Sequence, residues 1–147
     1  RCGTSIGPMP SIRNIAVGLP VRDRHVLVLD GMDRVKDAAF HRAIGGGIEF
    51  GETAEEAVRR EFVEELGVAL GRVELLDVVE NIFTHEGRPG HEIAHVFAVE
   101  SAEIDRIPLD ARLHVLDQGS PIRWVPIGAA PYPIYPDGIA ELLDARF

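Results

Sequence analysis

The sequence has few of the features that mark secreted or membrane proteins. Cys2 is the single cysteine among 147 residues, which excludes a disulfide framework and suits a reducing compartment. No apolar run approaches the roughly 18 residues that a transmembrane helix needs. The N-terminal residues also lack the apolar segment of a signal peptide. We therefore expect a cytoplasmic protein with no membrane partner.

Positive charge is also scarce. The chain has 15 lysines and arginines against 24 aspartates and glutamates, and its formal net charge is −9. This argues against binding to duplex nucleic acid, which usually needs a basic face. A nucleotide substrate stays open, because a bound divalent cation can supply local positive charge. The length suits one domain, so we expect a flexible arm at 1–10 and a single domain at 11–147, as a monomer or homodimer.

Apolar patterning and turn residues predict a mixed α/β (α+β) fold, in which a mixed sheet is packed by helices. One helix is predicted at 54–66, and a second is expected to begin at Asp137 as its N-cap. The remaining predictions are strands at 11–18, 25–30, 41–44, 73–83, 92–99 and 109–116, and polar loops at 31–36 and 84–90. Residues 123–126 form a short, mostly apolar stretch around Trp124.

The first helix has clear start and stop signals. Thr53 and Glu56 fit a capping box, and Gly67 stands where a helix ends in a left-handed residue. At about 100° per residue, Val58 and Phe62 fall on one apolar stripe that faces the core. Most of the charged residues lie elsewhere on the wheel.

Three glutamates gather on one arc of this helix, with Glu65 at the rim of the apolar stripe. Glu61, Glu64 and Glu65 have no lysine or arginine on the same arc, whereas Glu55–Arg59 and Glu56–Arg60 are predicted i,i+4 ion pairs. Converging carboxylates suit a hard divalent cation. The alternative is a solvated acidic face. The glycines before the helix, Gly45 to Gly47, allow backbone to approach a ligand closely.

These residues, taken together, resemble the Nudix box, G-x5-E-x7-R-E-U-x-E-E-x-G-U, where U is bulky and apolar. Phe62 in the first U position is the one mild departure. The resemblance extends to the RWVPI and YPDGIAELL stretches near the C-terminus. The matching fixed positions are Gly46, Glu52, Arg60, Glu61, Glu64, Glu65 and Gly67.

The resemblance implies an α/β/α sandwich that hydrolyses a nucleoside diphosphate linked to another group X, with Mg²⁺ or Mn²⁺. Metal ligands would be the three glutamates Glu61, Glu64 and Glu65, with the Gly45 carbonyl as a further ligand. Arg60 and Glu52 would form an ion pair that orients the box. Nucleoside triphosphates, oxidised nucleotides, ADP-ribose and nucleotide sugars are all open as substrates.

The general base and the substrate pocket are less tightly defined by the sequence. Glu64 is the preferred base, with Asp117, Glu86 and Glu92 as alternatives. The predicted substrate-binding residues are Glu49, Phe83, His85, Arg88, Asp117 and Trp124. A buried core position is an equal alternative for Trp124. The alternative for the segment around His85 is a solvated loop without a binding role. His25, His41 and His114 are predicted at the surface or an edge.

Two other functions compete with this hypothesis. His91, Glu92 and His95 fit the HExxH zinc-protease pattern, which requires a helix. The segment reads as a strand, where residues four apart lie about 13 Å apart, too far for one zinc ion. A catalytically inactive nucleotide sensor of the same family is the other alternative, but such a domain is expected to lose box acids, and all are present.

Overall fold

The computed structural model describes residues 10–116 and 119–147. The predicted arm therefore lies outside the described residues, apart from Pro10. The strands are β1 (Ile12–Arg22), β2 (His25–Asp33), β3 (Ala38–Gly47), β4 (Val73–His85), β5 (Arg88–Val99), β6 (Leu113–His114), β7 (Pro121–Pro126) and β8 (Ile134–Tyr135). The helices are α1 (Ala54–Leu66) and α2 (Ile139–Arg146), with a 3-10 turn at Ile104–Arg106.

The strands form one mixed sheet in the order β4-β5-β1-β3-β2-β7-β6, with β8 beside β3. Two pairings are parallel, β1 with β5 and β3 with β8, and the others are antiparallel. β3 pairs with β1 through its glycines and with β2 through its first half, so it links the two parts of the sheet. The predicted mixed fold is confirmed.

Side chains that alternate along β1 separate two apolar cores. Ile15 and Val17 pack on the side of α2, together with Ile139. Ala16 packs on the side of α1, together with Phe62, which is completely buried. One helix therefore covers each face of the sheet, as the sandwich prediction requires.

Helix α1 has the predicted bounds and both predicted caps. The Thr53 hydroxyl accepts a hydrogen bond from the Glu56 amide at 3.1 Å, and the Glu56 carboxylate accepts one from the Thr53 amide at 2.9 Å. Hydrogen bonds from Thr53 lower the pKa of Glu56. Gly67 ends the helix at φ 68°, a left-handed conformation that glycine adopts without steric cost.

Several predicted boundaries are wrong, because tertiary pairing extends or shortens the strands. β3 runs through the glycines to Gly47, and the predicted loop at 84–90 is a tight hairpin through Glu86 and Gly87, both at positive φ. The strand expected at 109–116 is reduced to Leu113–His114. The N-cap of α2 is Gly138 at φ 99°, and not Asp137.

His41 is wrongly predicted at the surface. It is fully buried on β3, and its Nδ1 lies 2.8 Å from Asp30 Oδ1. Burial lowers the pKa of His41, and the Asp30 carboxylate opposes that shift. His114 is exposed, as predicted. Neither helix in the described part of the chain is long and apolar enough to cross a bilayer.

Gly18 on β1 provides a test of the packing between the sheet and α1. A Cβ at Gly18 would lie 2.6 Å from Phe62 Cε1 and 3.0 Å from Val99 Cγ1. Since Phe62 is enclosed, we expect Gly18→Ala to lower the free energy of unfolding by about 1–3 kcal/mol. The measurement is urea unfolding followed by circular dichroism.

Gly71→Ala is the matched control, because a Cβ there would meet only the Glu100 carbonyl oxygen at 3.5 Å. We expect a change within about 0.5 kcal/mol for this variant. Equal stability of the two alanine variants would show that α1 does not pack against β1 at Gly18.

Candidate active site

The glycines of β3 bring backbone and helix α1 into close approach. A Cβ on Gly45 would lie 2.1 Å from the Ala16 carbonyl oxygen, and Gly45 has φ 154°, so a side chain cannot be accommodated there. A Cβ on Gly46 would lie 2.6–2.9 Å from the carboxylate atoms of Glu61. The Glu61 carboxylate therefore rests directly over bare backbone at the end of the strand.

Arg60 connects this backbone to the acidic residues around it. Its Nε donates to Glu52 Oε2 at 2.7 Å, and its Nη2 donates to Glu52 Oε1 and to the Gly47 carbonyl oxygen, both at 2.9 Å. Its Nη1 donates to Glu61 Oε1 at 3.0 Å and lies 3.3 Å from Glu64 Oε2. The ion pair with Glu52 that the resemblance implies is present.

The bidentate contact between Arg60 and Glu52 favours the charged form of both side chains. Hydrogen bonds from Arg60, followed by one from the Glu49 backbone, lower the pKa of Glu52 from 4.5 to about 2. The same contact raises the pKa of Arg60. Glu49 lies at the edge of this cluster, with its Oε1 3.9 Å from Arg60 Nη1.

The predicted pair between Glu56 and Arg60 is wrong, because Glu56 closes the capping box and Arg60 turns toward Glu52. The predicted pair between Glu55 and Arg59 is present at 3.2 Å. The wheel is correct that no lysine or arginine has its Cα on the acidic arc. It misses that the long Arg60 side chain reaches onto that arc.

The three predicted metal-binding glutamates differ in exposure. The side chain of Glu64 is 48% exposed and that of Glu61 13%, whereas Glu65 is buried at the edge of the α1 core. Within residues 10–116 and 119–147, no group of three or more His, Cys, Asp or Glu side chains lies close enough to hold a metal ion. The ligand set of Glu61, Glu64, Glu65 and the Gly45 carbonyl stays a prediction.

A cavity of about 870 Å³ is lined by residues outside the box, one of which, Arg13, comes within 3.1 Å of the position that a Cβ on Gly47 would take. The hairpin β2–β3 lines one side and the hairpin β4–β5 the other, and the two tips are joined by hydrogen bonds from Glu86 N to Asp33 Oδ2 and from Lys36 Nζ to the Thr84 carbonyl. Three hydrogen bonds from backbone amides, that of Glu86 foremost, lower the pKa of Asp33. The volume is within the usual range for small-molecule sites.

Of the predicted substrate-binding residues, Phe83, His85 and Arg88 all line this cavity. Trp124 does not: it is 5% exposed, packs in the α1 core and has the Arg22 guanidinium 4.9 Å from its ring centre. The core alternative for Trp124 is therefore correct. Asp117 lies outside the described residues.

Glu92 has a different role from the one that its motif suggested. It is 3% exposed, and its Oε2 accepts hydrogen bonds from Arg13 at 3.4 Å and from Arg42 at 3.3 Å. Its carboxylate is therefore engaged by guanidiniums from two neighbouring strands. Arg13 and Arg42 were missed by sequence analysis, since only the register of β1, β3 and β5 brings them together.

The HExxH segment belongs to strand β5, where His91 Nε2 lies 2.8 Å from Glu80 Oε2. The helix that a zinc-protease site needs is absent from this described segment. The other alternative base, Glu86, lies at the hairpin tip and accepts a hydrogen bond from the Arg34 amide.

The low pKa of Glu52 generates a prediction for Glu52→Gln. A carboxylate whose pKa is lowered on folding stabilises the folded protein above its unfolded-state pKa, and this stability is lost as pH falls through the folded-state pKa. We expect wild type to be more stable than the variant at neutral pH, with an advantage that shrinks as pH falls from 4.5 toward 2. Chemical unfolding across this range measures it. An advantage that is constant with pH would contradict the pairing.

A model of the NUDIX domain matches residues 12–145 of the chain. The chain is also 31% identical, over 121 residues, to a candidate mutator protein, MutT4, of Mycobacterium tuberculosis (strain CDC 1551 / Oshkosh). That match covers 71% of this chain but 46% of the relative, so the chain spans less than half the relative's length.

Solved structures show the same fold. A MutT NUDIX hydrolase from Burkholderia pseudomallei superposes with a TM-score of 0.62 at 23% identity, covering 93% of this chain and 99% of that one. The ORF135 protein of E. coli gives a TM-score of 0.53 at 23% identity, covering 95% and 92%. The family model, the intact box and its organisation by Arg60 agree, and the chain belongs to the Nudix family.

Proposed function

We propose that this chain is a pyrophosphohydrolase, which cleaves a diphosphate linkage in a nucleoside diphosphate derivative by attack of water on phosphorus. The observation that carries the proposal is the arrangement around Arg60. One guanidinium orders Glu52, Glu61 and Glu64 around the glycine-rich end of β3. The cavity that Arg13 connects to Gly47 is large enough for a nucleotide.

Nudix proteins generally use divalent metal ions, and we propose Mg²⁺ or Mn²⁺ here. The donors are carboxylate and carbonyl oxygens, which these hard cations prefer. Glu61 and Glu64 would hold the ion, since both face the same Arg60 atom, with Glu65 and the Gly45 carbonyl as further ligands. A bound ion would neutralise phosphate charge and lower the pKa of a water molecule.

The residues of this chain perform the remaining tasks. Arg60 partly neutralises Glu61 and Glu64, which reduces the repulsion between them in the protein without metal. Glu52 accepts two hydrogen bonds from the guanidinium on the side away from Glu61 and Glu64. This contact keeps the Arg60 side chain in place beside the helix. Glu64 is the proposed general base, because it is the most exposed of the three box glutamates and can reach a water molecule.

Replacing Glu64 tests this assignment. We expect Glu64→Gln to lower kcat about 100-fold or more with saturating Mg²⁺, because the amide can neither accept the proton nor bind the cation as a charged ligand. The substrates are a panel of nucleoside triphosphates, dinucleotides and nucleotide sugars. Release of phosphate, pyrophosphate or nucleoside monophosphate is the measurement.

Glu55→Gln is the matched control on the same helix, since Glu55 is exposed and forms its ion pair with Arg59, away from the box acids. We expect this variant to retain wild-type turnover and circular dichroism. The role of Glu64 is disproved if Glu64→Gln retains half of wild-type kcat. Absence of turnover by wild type across the panel with Mg²⁺ and Mn²⁺ would instead favour the sensor alternative.

A further inference from the structure

The sheet has one long open edge. Strand β4 ends the strand order, and within residues 10–116 and 119–147 only β5 pairs with it. It is 13 residues long, whereas β6 at the opposite edge has two residues. The outer amides and carbonyls of an edge strand form a template on which another strand can pair. The β4 edge therefore offers room for a further long strand.

Apolar side chains along this edge are exposed on one face of the sheet. Leu75, Val78 and Ile82 are 51%, 45% and 72% exposed. All three point to the α1 side, since Leu75 is directly opposite Phe97 of the α1 core, and the residues opposite the other two precede Phe97 on β5 at even spacings. Three such side chains along one edge form an apolar stripe, which is typical of an interaction surface.

A β-bulge keeps this stripe on one face. Leu76 is the extra residue, because Leu75 and Asp77 are opposite adjacent residues of β5. Without the bulge, Leu75 and Ile82 would point to opposite faces of the sheet, since side chains alternate along a strand.

The stripe is complementary to itself. If β4 pairs antiparallel with β4 of a second copy about a two-fold axis at Val79, Val78 of each copy lies opposite Glu80 of the other. Beyond the bulge, Leu75 of each copy lies opposite Ile82 of the other, on the α1 side of both. Side chains in directly opposite positions have Cβ atoms about 4.5–5.5 Å apart. The two most exposed apolar side chains of β4 would therefore cover each other, twice in the dimer.

The acidic residues of β4 are compatible with this pairing. Glu80 lies 2.8 Å from His91 and Glu74 lies 3.3 Å from Arg146, so both have a partner within the chain. With the axis at Val79, every acid of β4 also faces an uncharged side chain of the second copy. The facing pairs are Glu80 with Val78, Asp77 with Asn81, and Glu74 with Phe83.

Nearby positions of the axis fit less well. An axis at Glu80 or at Asp77 would place the two copies of that carboxylate opposite each other, and like charges directly opposite are destabilising. An axis at Val78 would place Leu75 opposite Glu80. Charge and apolar matching therefore both favour Val79.

We propose that the β4 edge binds a second copy of this chain, with the two β4 strands antiparallel about an axis at Val79 and the two sheets joined into one. The Val78 amide, which donates to Asp77 Oδ1 at 2.8 Å, would donate to a backbone carbonyl of the second copy instead. Such an interface is isologous, so the pairing closes at two copies. Because Asn81 and Phe83 of β4 line the cavity, the dimer would also brace the cavity wall.

Sedimentation equilibrium across a range of protein concentrations tests the interface. We expect wild type to dimerise reversibly. Ile82→Lys should raise the dimer dissociation constant about tenfold or more, because it places an ammonium group against Leu75 on both sides of the axis. Val35→Lys is the matched control, since Val35 is 69% exposed in the turn between β2 and β3, and it should keep the wild-type constant. Wild type that sediments as a monomer at every concentration, or an unchanged constant in Ile82→Lys, would overturn the proposal.

Disulfide cross-linking tests the position of the axis. In a Cys2→Ser background, Val79→Cys should form a covalent dimer on mild oxidation, because the two introduced thiols face each other. Val78→Cys should cross-link far more slowly, since its two copies would lie on a diagonal of about 7–8 Å. Circular dichroism verifies that both variants fold. Cross-linking through Val78→Cys alone, or through neither variant, would overturn the proposed pairing.

Discussion

The organisation of the site depends on one side chain, the guanidinium of Arg60. It bridges the end of β3 at Gly47, the segment before α1 at Glu52, and the helix itself at Glu61 and Glu64. Bidentate contacts between arginine and a carboxylate are among the strongest and most directional in proteins. Because three separate parts of the chain meet at one planar group, Arg60 fixes the position of the acids relative to the end of β3.

This bridge is possible because the backbone beside it carries no side chains. Gly45 lies against Ala16 of the neighbouring strand, and Gly46 lies under the Glu61 carboxylate. At either position a Cβ would clash with these neighbours. The helix can therefore pack on the sheet with its acidic arc over the strand end. The buried Phe62 anchors the opposite side of the same helix against Gly18. Packing and polar contacts thus set one orientation of α1.

Local signals in the sequence were sufficient for some of these features and not for others. The bounds and caps of α1 follow from residues within one or two turns of each other, such as Thr53 and Glu56, and were predicted correctly. The contact of Glu92 with Arg13 and Arg42 depends on the register of three strands, which a single sequence does not specify. The reach of Arg60 across the acidic arc was missed because a helical wheel represents Cα positions alone.

We propose that Glu61 and its neighbours are gathered for a divalent cation. The most direct measurement is the melting temperature with Mg²⁺ and with EDTA, at constant ionic strength, for wild type, Glu61→Gln and Glu55→Gln. Mg²⁺ at a hundred times its dissociation constant should stabilise wild type and Glu55→Gln by about 2.7 kcal/mol, and Glu61→Gln should lose most of this shift. A shift of equal size in Glu61→Gln would show that the acidic arc of α1 is only a solvated face.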